Sequence, residues 1–186
     1  MSALAALGDY VASVREWARM ARSHELVQPS EHVGARLAFA DGTTSTVFRE
    51  TRAVDAAMDE PAVLVIRFRL ALLDDLASLH LGFRHECALH TPLFAGYPGF
   101  RSKLWLDDRE TRLYRGVYQW DGFEAAVAYA RRMVGLLAPF SNRGAARFHV
   151  ARGVRLTEYL LDPDATSGDE SDAWWRLTRP LMPPPA

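Results

Sequence analysis

The chain has very little cysteine and lysine: Cys87 and Lys103 are the single residue of each type among 186. One cysteine excludes an internal disulfide, so nothing points to an oxidising compartment, and Cys87 is interpreted as a small buried hydrophobe. The longest clear apolar run, residues 62–66, is far too short to span a membrane. The N-terminus lacks the basic and apolar regions of a signal peptide. We therefore expect a cytoplasmic protein.

An excess of charge of one sign is also missing. Lys and Arg total 22 and Asp and Glu total 23, which leaves a formal net charge of -1. This balance gives no overall attraction to nucleic acid or anionic membranes, so neither is predicted as a partner. P-loop, GxGxxG, GxSxG, HExxH and CxxC motifs are all absent from the sequence. We accordingly predict neither a bound cofactor nor a metal ion.

Three segments follow one another along the chain. Residues 1–58 contain an amphipathic helix and then a hairpin of about 33–40 and 44–52, joined at Asp41-Gly42, a two-residue turn signal. Residues 59–161 alternate strand, helix, strand, strand, helix and strand. Residues 162–186 are acidic, then aromatic at Trp174 and Trp175, then proline-rich. We expect the acidic part to be flexible and the Trp pair to dock on the protein, because exposed paired tryptophans are costly.

The central order β-α-β-β-α-β predicts an α+β, ferredoxin-like domain, with an antiparallel sheet and two helices on one face. The other face would be open, so a second sheet or a second subunit should cover it. Asp121 is a predicted N-cap for the second helix, with Glu124 in capping-box position. Arg67 and Arg69 share one face of the first strand. If that face is the dimer side, they need partners such as Glu50 or Asp107.

The stretch "YPGFRSKLWLDDRETRLYRGVYQWDGFEAAVAYA", residues 97–130, resembles the YdhR-type mono-oxygenases of the dimeric α/β-barrel superfamily, which includes the antibiotic-biosynthesis monooxygenases. The residues that carry the resemblance are Pro98, Gly99, Phe100, Trp105, Gly116, Tyr118, Trp120, Asp121 and Tyr129. It covers roughly residues 61–152 and implies a ferredoxin-like α/β barrel and a homodimer whose two sheets pack face to face. The helix and hairpin before it and the Trp-rich tail lie outside the pattern.

The resemblance implies a small cofactor-independent monooxygenase, or a related tailoring enzyme, acting on an aromatic or polyketide-like small molecule. The superfamily hosts many activities, so a non-catalytic member that binds a small molecule or a partner protein is the alternative. Haem binding, with His90 or His149 as axial ligand, is a third hypothesis.

Oxygenation of this kind needs a base that forms the substrate anion and an apolar pocket that shields it. His90, at the end of the first central helix, is the first candidate, since imidazole exchanges protons near neutrality. Tyr118 offers a hydroxyl, and Arg101 could bind a carboxylate or stabilise an enolate. A helix-capping role for His90 and a surface salt bridge for Arg101 are the alternatives.

The candidate substrate-binding residues lie in the corner before the second central strand and on the strands themselves. They are Phe94, Tyr97, Phe100, Trp105, Arg115, Trp120 and His149. We expect a pocket between helices and sheet, rimmed by residues 90–101 and closed by Leu93, Phe94 and Tyr97. The alternatives are sheet core for the aromatic residues, a surface or interface salt bridge for Arg115 and a hydrogen-bonded strand histidine for His149. His80, His85, Glu86 and His90 suggest a metal, but the five-residue spacings turn the rings apart on a helix.

Overall fold

The computed structural model describes residues 3–54, 57–69, 91, 94–138, 141–142, 144–166 and 173–184. The segment predicted as the first central helix, with Cys87 and His90, lies outside these residues. The other predicted features outside them are His80, His85, Glu86, Leu93 and the acidic part of the tail at 167–172.

The described helices are α1 (Ala3–Arg22), α2 (Phe123–Leu137) and α3 (Leu156–Leu161), and a 3-10 turn follows at Pro163–Thr166. The strands are β1 (Leu26–Val27), β2 (Arg36–Ala38), β3 (Thr44–Ala53), β4 (Pro61–Phe68), β5 (Phe100–Asp108), β6 (Leu113–Asp121) and β7 (Arg147–Arg152). Sequence reasoning missed α3, which follows the last predicted strand. In the part of the chain that the structure describes, no helix has an apolar stretch long enough to cross a bilayer.

The strands form one sheet in the order β1-β3-β5-β6-β4-β7, with β2 paired to β3. The pairings are antiparallel. The four strands of the predicted central unit are, in chain order, β4, β5, β6 and β7. In the sheet they lie in the order β7-β4-β6-β5, which is the ferredoxin-like arrangement. The predicted α+β fold class is therefore confirmed. The N-terminal hairpin extends the same sheet, because β3 pairs with β5.

A separate hydrophobic core covers each face of the sheet. The helix-side core receives Ala126, Tyr129 and Ala130 from α2. Its buried members are Leu64, Ile66, Phe94, Ala95, Phe100, Trp105, Tyr118, Trp120, Ala126, Tyr129 and Ala130. The buried members of the tail-side core are Leu37, Phe39, Val47, Val63, Val65, Leu104, Leu106, Val117, Ala151, Leu156, Tyr159, Leu160, Trp174, Trp175 and Leu177.

The second face of the sheet is covered by the chain itself, which corrects the expectation that a second sheet or subunit must cover it. Its cover consists of β2, α3 and the C-terminal segment 173–184. Trp174 and Trp175 are 6% and 3% exposed, so the predicted docking of the Trp pair is confirmed. Backbone bridges from Phe39 to Leu177 and from Arg36 to Met182 fix the segment along the hairpin.

The hairpin turn is one residue longer than predicted. Phe39 and Thr43 face each other, with the amide of Phe39 donating to the carbonyl of Thr43 at 2.9 Å, so three residues form the loop. Gly42 occupies the left-handed region with φ of 81° at the end of that loop. This turn directs Asp41 toward Arg67 and Arg115, whose guanidinium groups both pair with its carboxylate. Asp41 is therefore the partner of Arg67, in place of the suggested Glu50 or Asp107.

The predicted N-cap at Asp121 is wrong. Gly122 is the N-cap of α2, and no side chain caps this end. The carboxylate of Asp121 instead accepts hydrogen bonds from the amides of Asp59 and Glu60, at 3.1 and 2.9 Å, and pairs with Arg101 at 2.9 Å. These three donors lower the pKa of Asp121 and leave its carboxylate turned away from the helix.

Candidate functional site

The only lysine of the chain lies in the helix-side core, because alternation along β5 puts Lys103 and Trp105 on the same face. Lys103 is 5% exposed. Its Nζ lies 2.9 Å from the centroid of the Trp105 ring, 4.4 Å from that of Phe94 and 4.8 Å from that of Tyr118. Aromatic faces attract a cation and offset part of the cost of removing it from water.

Two phenol groups belong to the same cluster. The hydroxyl of Tyr129 on α2 donates to the hydroxyl of Tyr118 on β6 at 3.5 Å, and the two rings meet edge to face at 5.6 Å. Burial, followed by the neighbouring Tyr118, raises the pKa of Tyr129 well above its usual range, so its hydroxyl stays protonated. A buried amine in its protonated form, together with a protonated phenol such as Tyr129, can stabilise an oxyanion.

Most of the aromatic residues predicted for the site come together in this cluster. They are Phe94, Tyr97, Phe100, Trp105, Tyr118 and Trp120. Phe94 contacts Phe100 and Trp105, with ring centroids 5.0 and 5.4 Å apart, and Tyr97 packs on Tyr129 at 5.5 Å. Phe94 and Trp120 are 1% and 0% exposed, which fits sheet core as well as a ligand wall.

Two predicted binding residues lie on the opposite face of the sheet from Tyr118. Arg115 is buried in the tail-side core, where it donates to Ser45 Oγ at 2.9 Å and pairs with Asp41. Burial lowers the pKa of Arg115 to about 10, although the Asp41 carboxylate opposes this shift. The ring of His149 stacks on Trp175 with centroids 3.7 Å apart. Arg115 and His149 therefore cannot share one binding site with Tyr118.

Arg101 occupies a third position, at the end of the sheet, where it donates to Asp121 Oδ2 at 2.9 Å and to the Ala57 carbonyl at 3.2 Å. It lines a cleft of about 620 Å³. The other residues around this cleft are Glu31, His32, Arg52, Ala53, Ala57, Met58, Ser102, Gln119, Arg155, Leu156, Thr157 and Leu160. Arg101 is thus separated from the phenol pair that it was predicted to act with.

Sequence reasoning missed two features, the position of Lys103 and the pairing of His32 with Glu50. The first had a usable signal, since a unique lysine two residues before a strand tryptophan must share its face. The second had none: His32 Nδ1 and Glu50 Oε2 are 3.0 Å apart across 18 residues, at a contact set by how the hairpin folds.

The chain was compared with known proteins. No family model matches it, and no curated protein matches it. Among solved structures, it is similar to LmHde, a heme-degrading enzyme from Listeria monocytogenes, at 13% identity and a TM-score of 0.41, over 67% of this chain and 95% of that one.

Two further solved structures are similar. One is an uncharacterised ferredoxin-fold protein related to antibiotic biosynthesis monooxygenases from Listeria monocytogenes, at 11% identity and a TM-score of 0.42, covering 73% of this chain and 86% of that one. The other is a monooxygenase-like protein from Listeria innocua, at 14% identity and a TM-score of 0.40, covering 72% and 85%. The fold assignment of the present chain rests on its own strand order.

Proposed function

We propose that this protein is a small enzyme of the cofactor-independent monooxygenase type, which acts on an aromatic or polyketide-like molecule at the helix-side aromatic cluster. The observation that carries the proposal is the amino group of Lys103, enclosed by the rings of Phe94, Trp105 and Tyr118. Such a reaction passes through a substrate anion, which this amino group in its protonated form, beside hydroxyl donors, would stabilise.

The substrate class that fits is a flat, fused phenol with an acidic methylene group, such as an anthrone. A base, for which His90 stays the candidate, would remove a methylene proton while Lys103 and Tyr118 face the developing oxyanion. The anion then reduces O₂, one oxygen atom becomes the new carbonyl and the other leaves as water: CH₂ + O₂ → C=O + H₂O. The rings of Trp105 and Phe94 would stack on the substrate.

The proposal includes a cytoplasmic homodimer, whose interface would differ from the face-to-face packing that the sequence resemblance implies. Trp174, Trp175 and α3 occupy the sheet face on which a second sheet would have to pack. An interface elsewhere on the surface leaves this cover in place.

Oxygen uptake with anthrone, followed with an oxygen electrode, tests the proposal. Lys103→Met keeps the unbranched side chain and removes its charge, and we expect kcat/KM to fall by about 100-fold, the usual effect of losing one oxyanion-stabilising group. His90→Ala should abolish uptake. Arg152→Gln, which removes one charge from an exposed side chain, is the matched control and should leave the rate unchanged.

Wild-type protein that is folded yet consumes no oxygen with anthrone or hydroquinones would contradict the proposal, as would full activity in Lys103→Met. The second candidate is a non-catalytic small-molecule-binding protein, which the cleft of about 620 Å³ beside Arg101 favours. For that candidate, an aromatic ligand would change the tryptophan fluorescence without any uptake of oxygen.

A further inference from the structure

The cleft beside Arg101 is a concave site on the other side of the sheet from Lys103. It opens where the end of β3, the start of β5 and the end of β6 meet α3, and its volume is about 620 Å³. That volume lies within the usual range for small-molecule sites. None of the aromatic residues around Lys103 lines it, and Ala53 is the one lining residue that also packs against the helix-side core.

Arginines dominate the charge of the cleft wall. Arg52, Arg101 and Arg155 line the cleft together with a single carboxylate, that of Glu31. Two of the three guanidinium groups pair with carboxylates that do not line the cleft. Arg52 pairs with Glu50 at 2.6 Å, and Arg101 pairs with Asp121 at 2.9 Å. Each guanidinium has five N–H donors, so these contacts orient the groups and leave donors for a ligand.

Arg101 has a donor left over. Its Nε is buried and has no hydrogen-bond partner among the described residues. The terminal nitrogens make the three hydrogen bonds of this side chain, one of them to the Phe100 carbonyl at 3.4 Å and the others to Ala57 and Asp121. The nitrogen that bonds Phe100 keeps a second N–H, which is the donor left for a ligand carboxylate.

His32 adds a charge that depends on pH. Its Nδ1 lies 3.0 Å from Oε2 of Glu50, a carboxylate with no exposed surface, and the imidazole lines the cleft. The hydrogen bond with Glu50 raises the pKa of His32 above its ordinary value, although burial opposes the shift. Because Glu50 holds Nδ1, Nε2 is the ring nitrogen left for a ligand.

The rest of the wall is apolar. Ala53, Ala57, Met58, Leu156 and Leu160 line the cleft alongside the charged groups. A ligand that matches both parts has one anionic end and a hydrophobic body.

A metal ion fits the cleft less well than an anion. Glu31, His32 and Glu50 bring their ligand atoms within 4.8 Å of one another. However, Arg52 donates to both carboxylates, at 2.7 and 2.6 Å, so a cation would have to displace a guanidinium group. An anion would instead meet donors that are already in position.

We propose that this cleft binds a small organic carboxylate with an apolar body, its carboxylate held by Arg101, Arg155 and His32. The apolar body lies against Met58, Leu156 and neighbouring alkyl groups. This site is independent of the proposed oxygenase activity, since it lies on the other face of the sheet.

Isothermal titration calorimetry with 1-naphthoate, and with the neutral 1-naphthamide as a control, tests the proposal on the full chain. We expect naphthoate to bind at least about tenfold more tightly, because a charge-assisted hydrogen bond contributes about 1.5–3 kcal/mol. Arg101→Gln and Arg155→Gln should each weaken naphthoate binding about tenfold. Arg155 is exposed, so its variant keeps the fold, and Arg152→Gln is the matched control at another exposed site.

The dependence of affinity on pH gives a second measurement. The charged groups that surround His32 are Glu31 on its own segment, Glu50 and Arg52 on β3, Arg101 on β5 and Arg155 at the start of α3. Naphthoate affinity should fall as the pH rises through the raised pKa of His32, and His32→Asn should flatten the profile. Equal affinity for naphthoate and naphthamide, or an Arg155→Gln variant that binds like Arg152→Gln, would overturn the proposal.

Discussion

At the scale of single residues, the most consequential feature is a charged side chain that is buried together with its partners. Glu50 has no exposed side-chain surface and is held by His32 and Arg52. Burial alone would raise the pKa of Glu50, but these two hydrogen bonds together lower it below its ordinary value of 4.5. Removing one partner of such a group costs more than the pair itself contributes, because the remaining charge stays buried.

The His32–Glu50 pair should make stability depend on pH. The raised pKa of His32 means that its contribution is complete below its ordinary value of 6.5 and is lost as the pH rises through the folded-state pKa. The lowered pKa of Glu50 means that its contribution is present above 4.5 and is lost as the pH falls through the folded-state pKa. The pair therefore stabilises the fold most between roughly pH 4.5 and 6.5.

Urea unfolding at pH 6 and pH 9 measures this contribution. His32→Asn should lower the free energy of unfolding by about 1.5–3 kcal/mol at pH 6 and by less at pH 9. His24→Asn is the matched control, because His24 is exposed and has a φ of 57°, a conformation that asparagine tolerates. An equal loss at both pH values would show that the ionisation of His32 does not matter.

At the scale of elements, the turn that leads into β5 depends on Gly99. Its φ is 85°, and a Cβ built there would lie 2.3 Å from the carbonyl oxygen of Asp121. The amide of Asp121 also donates to the carbonyl of Gly99 at 2.7 Å. The glycine therefore lets two backbone segments approach at the point where Arg101 and Asp121 pair, which gives the sequence "YPGF" a direct structural reason.

Gly99→Ala should destabilise the protein by about 2–4 kcal/mol, from the left-handed backbone and from the clash with Asp121. Gly42→Ala is the control, because Gly42 has a φ of 81° but open space around a Cβ, so only the backbone strain applies. We expect that variant to cost about 1–2 kcal/mol. Thermal or urea unfolding of both variants measures the difference, and equal losses would show that the close approach at Asp121 is unimportant.

At the scale of the whole molecule, the C-terminal segment completes the second hydrophobic core. Trp175 stacks on His149, and Tyr159 donates its hydroxyl to the Trp175 carbonyl. Arg67 and Arg147 lie over the ring of Trp174, at 4.8 and 5.7 Å from its centroid. The segment thus covers apolar surface of the sheet and is part of the folded domain.

Trp175→Ala should lower the free energy of unfolding by about 3–5 kcal/mol, the usual cost of truncating a large core residue. Leu161→Ala is the control, because Leu161 lies on α3 but is 65% exposed, and it should cost less than about 0.5 kcal/mol. Urea unfolding measures both. A Trp175→Ala variant as stable as the control would mean that the segment is not part of the core.

The sequence by itself determined the fold class and most of the described elements, since both follow from short-range signals. Alternation along β4, β5 and β6, and the apolar spacing of α1 and α2, depend only on neighbouring residues. The grouping of Tyr118 and Trp120 on one face follows from the same period of two. The order of these elements along the chain predicted the ferredoxin-like arrangement, and the order of the strands in the sheet agrees with that prediction.

Only the tertiary structure decided which distant residues meet. The sequence allowed the carboxylate of Asp121 to cap α2. In the fold it accepts hydrogen bonds from the amides of Asp59 and Glu60, because that loop lies alongside the end of β6. The contact of His32 with Glu50 likewise has no local signal. The Trp pair itself predicted that Trp174 and Trp175 dock, but not that they cover the second face of the sheet. Side-chain chemistry and periodicity are properties of the sequence, whereas proximity between distant segments exists only once the sheet and its two cores have formed.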